Sequence, residues 1–175
     1  MDLLSIFQYL WANTDVQACF KLVFSAVLAG LIGWDRSRKG KPVGARTCVI
    51  LSTSATLFTI MSIQGFQIYS RTGTADPARL AAQILPGIGF IGAGAIFRDT
   101  SNNYIKGITT AAAMWAITAI GMAVAINQYT LATVATILIM LTLNAPKRNY
   151  RRRTQLQTQE KTKDDSESIK RITKR

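Results

Sequence analysis

The chain has 175 residues, 49% of them apolar, with 21 Lys and Arg against nine Asp and Glu and no histidine, for a net charge of +12. That length holds one compact domain, and the missing histidine excludes a serine–histidine triad and any histidine-ligated zinc site. The charge is confined to short stretches: Thr47 to Ser70, Leu80 to Phe97 and Gly107 to Ala145 contain no Asp, Glu, Lys or Arg, and about 20 apolar helical residues cross a bilayer core.

Asp2 to Ala12, "DLLSIFQYLWA", is too short to span, and its Phe7, Tyr9 and Trp11 suit the membrane–water boundary, so residues 1–15 read as a short interfacial helix. No basic segment precedes it, which argues against a cleaved signal peptide. Val16 to Trp34 is a first span, with Lys21 near its outer end, where a long side chain reaches the headgroups. Asp35 and Arg36 close this span, and Arg46 and Thr47 open the next beyond a turn containing Gly40, Pro42 and Gly44. Cytoplasmic anchoring accounts for the arginines but not for Asp35, so an ion pair of Asp35 with Arg46 or Arg36 is expected at the mouth of the hairpin.

The second span runs from Thr47 toward Ser70. The third opens with Asp76 as a helix cap and Pro77 at the first helical position. Asp76, Arg79 and Gln83 then fall along one helix face from the outer end inward. An amide at Gln83, inside the apolar span, needs a partner such as Thr109, Thr110 or a carbonyl freed near Pro86.

The run "PGIGFIGAGAIFR" that follows places Gly87, Gly89 and Gly92 at G-x-G-x-x-G spacing. A dinucleotide site also needs a preceding strand, a helix opening from the glycines and an acid about 20 residues on, and this run has none of these. In a membrane helix Gly87, Gly89, Gly92 and Gly94 instead let backbones approach closely, or, with Pro86, mark a kinked and partly unwound segment of the kind that lines solute routes.

Gly107 to Ala145 is long enough to cross twice, with Asn127 and Gln128 at the turn. Five spans put every basic loop and the basic C-terminal end on one side, which the positive-inside tendency makes the cytoplasm and which leaves the N-terminus outside. The expected organisation is an all-α integral membrane protein with a transmembrane region over residues 16–145 and a basic, disordered cytoplasmic tail over 146–175. Lys147, Arg148, Arg151, Arg152 and Arg153 sit where anionic headgroups attract each cation by about 1 kcal/mol. That position explains the basic excess without nucleic-acid binding. Cys19 and Cys48 lie near opposite ends of their spans, which argues against a disulfide. No cofactor is expected.

Two runs, "GWDRSRKGKPVGARTCVILSTSATLF" and "DPARLAAQILPGIGFIGAGAIF" with "IKGITTAAAMWAITAIGMAVA" beyond it, resemble the membrane domain of the MgtC/SapB family of bacterial inner-membrane proteins over residues 22 to 145. By that resemblance Asp35, Arg36, Arg46, Thr47, Asp76, Arg79, Gln83, Gly87, Gly89, Gly92, Gly94, Lys106, Gly107, Thr109 and Thr110 occupy family-motif positions. Departures are Asp35 where most members have Glu, Ser37 where many have a second acid, and Cys48 where histidine is frequent. Larger members carry a soluble ACT-like domain where this sequence has the basic tail.

The resemblance implies a bacterial inner-membrane location, a link to growth in low magnesium and a membrane-protein partner such as the ATP synthase or a transporter; a homo-oligomer is a separate expectation. Two functions follow as expectations: a non-enzymatic regulator whose helices dock on a partner complex or a second copy, and a small transporter or channel along the broken third helix.

Overall fold

The computed structural model describes residues 14–65, 76, 78–99 and 104–145. The anticipated interfacial segment, up to residue 13, and the basic cluster Lys147 to Arg153 lie outside the described residues. Contacts divide the chain into a unit over Met1–Thr142 and a second over Leu143–Arg175; the fold that follows is that of the first.

Helix α1 (Thr14–Arg38) leads through a short turn to α2 (Ala45–Ile60), which continues as a π-helical turn over Met61–Gly65. After α3 (Arg79–Ala82) and α4 (Ile84–Gly94) come strands β1 (Phe97–Asp99) and β2 (Tyr104–Lys106), then α5 (Ile108–Ala125) and α6 (Tyr129–Asn144). The helical class expected from the sequence therefore holds. Three helices, Thr14–Arg38, Ala45–Gln64 and Ile108–Ala125, are long and apolar enough to cross a membrane, and Tyr129–Asn144 is a shorter apolar one.

The link between α4 and α5 forms a two-stranded antiparallel hairpin pairing Phe97 with Lys106 and Asp99 with Tyr104. An ion pair from Lys106 to Asp99 holds it closed.

Why these helices stand together is read from their faces. On α1 the buried positions are Lys21, Ser25, Leu28, Ala29, Ile32, Gly33 and Arg36, which recur at helical spacing. Phe20, Val23, Val27, Leu31 and Trp34 point outward. On α2 Ser52, Thr56 and Thr59 are buried while Ile50, Leu57 and Phe58 are exposed. Water would reverse this arrangement; in lipid, large apolar side chains meet the acyl chains and small or hydroxyl-bearing residues meet neighbouring helices.

Helices α1, α2 and α5 pack pairwise, and α4 packs on α5. A Cβ at Gly33 would lie 2.5 Å from Ala45 Cα, and one at Gly121 would lie 2.3 Å from the Ser52 carbonyl oxygen. Those two positions set how closely α2 approaches α1 and α5. At the second, Thr56 Oγ1 donates across the interface to the Gly121 carbonyl at 2.9 Å. Helix α6 meets α1 through rings: Tyr129 stands edge-on to Phe20 and Phe24 at centroid distances of 5.9 and 5.5 Å. Asn127, at φ 64°, turns the chain between α5 and α6, a conformation that asparagine tolerates better than most residues.

Two sequence expectations are corrected here. The third span is interrupted at Gln83, where the backbone N–H bonds Leu80 O in a tightened turn, and α4 runs unbroken through Pro86 and the glycines. Pro86 is the third residue of α4, where the lost N–H would have had no acceptor inside that helix. Lys21 is 3% exposed and turns inward rather than toward the headgroups, donating to the Ala125 carbonyl at 2.9 Å. That oxygen ends α5, where free carbonyls and the negative end of the helix dipole attract an ammonium group.

Gly121→Ala is expected to destabilise the protein by about 1–3 kcal/mol, because one methyl group meets backbone with nowhere to move. Ala119→Leu, on the exposed face of the same helix, is expected to stay within about 0.5 kcal/mol of the parent. Reversible unfolding in mixed micelles measures both.

Candidate functional site

The buried guanidinium of Arg36 organises the end of the bundle at the α1–α2 turn. Arg36 lies in the last turn of α1 and is 3% exposed. Its Nε donates to Val43 O at 2.9 Å, in the turn, and its Nη2 donates to Thr110 Oγ1 at 3.1 Å, in the first turn of α5. A guanidinium keeps its charge and presents donors in a fixed fork, so one side chain ties three segments at set angles. Its position at the C-terminal end of α1 is also favourable, since the helix dipole is negative there.

Asp35 does not pair as expected. Its carboxylate takes Lys39 Nζ at 2.7 Å, one turn on along the same helix, rather than Arg46 or Arg36. Adjacent residues on a helix point about 100° apart, which carries Asp35 outward as Arg36 turns in. The exposed pair contributes about 0–1 kcal/mol.

Arg46 and Thr47 are exposed in the first turn of α2. With Ser37, Gly44 and Ala45 they line a shallow depression of about 320 Å³. Ser37 was legible only as a departure from the family pattern; in the structure its Oγ accepts the Ala45 N–H at 3.0 Å and satisfies one of the free donors at the start of α2.

The other predicted residues fall elsewhere. Asp76 accepts the Ala78 N–H through Oδ1 at 2.9 Å and so caps the turn entering α3. Arg79 and Gln83 are exposed. Among the described residues no hydrogen bond joins Gln83 to Thr109 or Thr110; Thr109 is exposed, and Thr110 is committed to Arg36.

Of the four glycines only Gly92 packs as anticipated, its Cβ position 3.5 Å from Ala111 Cβ, whereas Gly87, Gly89 and Gly94 face open space. Ala81, Ile88 and Gly92 are the buried positions of α3 and α4. Gln83, Gly87, Phe90 and Gly94 lie on the opposite, outward face, with Phe90 84% exposed.

Of the predicted set, Arg36 and Thr110 form a buried knot and Gly92 packs on α5, Asp35, Arg46, Thr47 and Thr109 lie apart from both, and Asp76, Arg79, Gln83, Gly87, Gly89 and Gly94 are exposed along α3 and α4. Two polar contacts escaped the sequence reading. Lys21 was visible as the lone charge in its apolar run, and Thr56 as a hydroxyl one turn beyond Ser52, but neither signal names a partner on α5.

A sequence model of the MgtC family matches residues 22–152. The chain is 37% identical to an uncharacterised protein of Haemophilus influenzae over 164 residues, covering 87% of this chain and 67% of that one. It is 37% identical to Protein SapB of Bacillus subtilis over 132 residues, covering 74% of this chain and 56% of SapB. To the putative magnesium transporter YhiD of Escherichia coli it is 39% identical over 125 residues, 70% of this chain and 57% of YhiD. The chain therefore spans little more than half the length of the last two. No solved structure matches it.

Arg36→Met is expected to cost about 3 kcal/mol or more, through two hydrogen bonds from a charged donor, and Thr110→Val about 1.5 kcal/mol. Arg36→Lys should recover little, because an ammonium group cannot reach both acceptors with a planar fork. Unfolding of the single and double variants in micelles should show the two losses to be non-additive.

Proposed function

Since the chain belongs to the MgtC family, we propose that it serves magnesium homeostasis as a non-enzymatic regulator in a bacterial inner membrane, docking the outward face of α3 and α4 on a partner within the bilayer. In this reading the chain crosses five times, α3 and α4 together forming the third crossing and α6 the fifth, with the N-terminus outside and the basic end in the cytoplasm. The link to magnesium rests on the E. coli relative YhiD, whose name carries it.

The observation that carries the docking is the open notch on α4. Gly87 and Gly94 have nothing within 4 Å of where a side chain would start, and Gln83 presents an amide on the same side. Acyl chains gain little from a bare backbone and cannot bond an amide, whereas a neighbouring helix uses both.

A second reading, a small transporter along α3 and α4, draws on the tightened turn at Gln83 and on the name of the E. coli relative. Purified protein in liposomes separates the two. The regulator is expected to pass no magnesium above the protein-free leak, while Gly87→Leu abolishes complementation of a deletion strain in low-magnesium medium without lowering the amount in the membrane. Magnesium flux that disappears with Asp76→Ala would establish transport instead.

A further inference from the structure

We infer that the occupant of the α3–α4 face is a second copy of this chain, related by a two-fold axis along the membrane normal; the inference rests on the docking reading above. The argument is the charge and hydrogen-bond pattern of the face. Asp76 and Arg79 are both exposed at its outer end, three residues apart, and among the described residues neither makes an ion pair. Each copy offers one acid and one base side by side at the entry to α3, since the Arg79 N–H bonds Asp76 O at 3.2 Å and closes the turn between them.

A two-fold axis brings such a pair against itself reciprocally: Asp76 meets the Arg79 of the other copy, and Arg79 its Asp76. A partner of one charge sign would satisfy only half of the set.

Further along the face the same symmetry serves the remaining groups. Gln83 lies one turn inward of Arg79, in a segment with no other polar side chain through Phe97. An amide is both donor and acceptor, so two glutamines facing each other across an axis satisfy one another in lipid. Gly87 and Gly94, one and about three turns deeper, carry no side chain to hold the helices apart, and their sides are open. The buried positions Ala81, Ile88 and Gly92 face the bundle of the same chain, so the outward face is free to pair without disturbing the packing of α4 on α5.

The test uses the full chain in native membranes with Cys19→Ser, the buried Cys48 being left in place. Gln83→Cys is oxidised beside Val27→Cys, which points outward from α1. Gln83→Cys is expected to give a covalent product of twice the chain mass, and Val27→Cys little or none. Adding Arg79→Asp to the Gln83→Cys chain, or Asp76→Arg, should each lower the yield about tenfold, because like charges then oppose across the axis. Co-expressing these two variants should restore it as a mixed dimer, since each then supplies the charge that the other lacks.

A product joining Gln83→Cys to a protein of different mass would overturn the second copy while leaving the docking reading in place. No product from Gln83→Cys at parental membrane level would overturn the second copy, and loss of complementation with Gly87→Leu would still uphold the docking reading. Failure of the mixed pair to recover the yield would overturn the reciprocal ion pairs, and with them the two-fold arrangement.

Discussion

A cation taken out of water at the end of a helix bundle has to be met by oxygen atoms, and the Arg36 guanidinium meets that demand by drawing together segments far apart in the chain. Its bonds to Val43 O and Thr110 Oγ1 set the turn after α1 and the first turn of α5 around one planar group. Once those are placed, Ser37 caps α2, and Gly33 lets α2 lie against α1. At the other end of the bundle Lys21 acts as a counterpart on the same helix, closing α1 onto the last carbonyl of α5. Two long cationic side chains on one face of α1 therefore hold α5 at both ends. Neither forms a hydrogen-bonded pair with a carboxylate among the described residues, and both use oxygens that the backbone or a hydroxyl supplies.

Between those ends the packing depends on small and hydroxyl-bearing residues. Gly121 sits against Ser52 and Thr56, and the threonine hydroxyl shares its proton between the carbonyls of Ser52 and Gly121. Such contacts need short separations, which is why glycine stands where the two backbones meet. Large aliphatic and aromatic groups then take the outside, where only lipid satisfies them. The α3–α4 segment differs, because it turns bare glycine and an amide outward beside an exposed Phe90. This difference supports reading that face as an interface rather than as lipid-facing surface.

The helical class, the three long spans and the position of the turn at Asn127 were legible in the amino-acid sequence, because charge-free runs and helix-breaking residues are local properties. The family was legible too, since its motifs are contiguous. Individual roles within those motifs were less so. Arg36 and Thr110 both belonged to the anticipated set, yet the expected partner of Arg36 was an acid rather than a threonine 74 positions away. The glycine run looked like the place of tightest packing, whereas within it only Gly92 touches a neighbouring helix, and among helical glycines the closest approaches occur at Gly33 and Gly121.

Composition and charge-free runs by themselves determined that this chain belongs in a bilayer and which long segments become helices, since each depends on residues near one another along the chain. Tertiary structure alone decided that Lys21 turns inward, that Asp35 pairs along its own helix, and that the link after α4 closes as a hairpin. It also decided which glycines are covered. The reason is physical: a helical sequence fixes the angle at which each side chain leaves the axis, but whether that direction holds lipid, a carbonyl or another helix depends on how the helices rotate against one another. That rotation is set by contacts such as Arg36 to Thr110, which join residues distant in sequence.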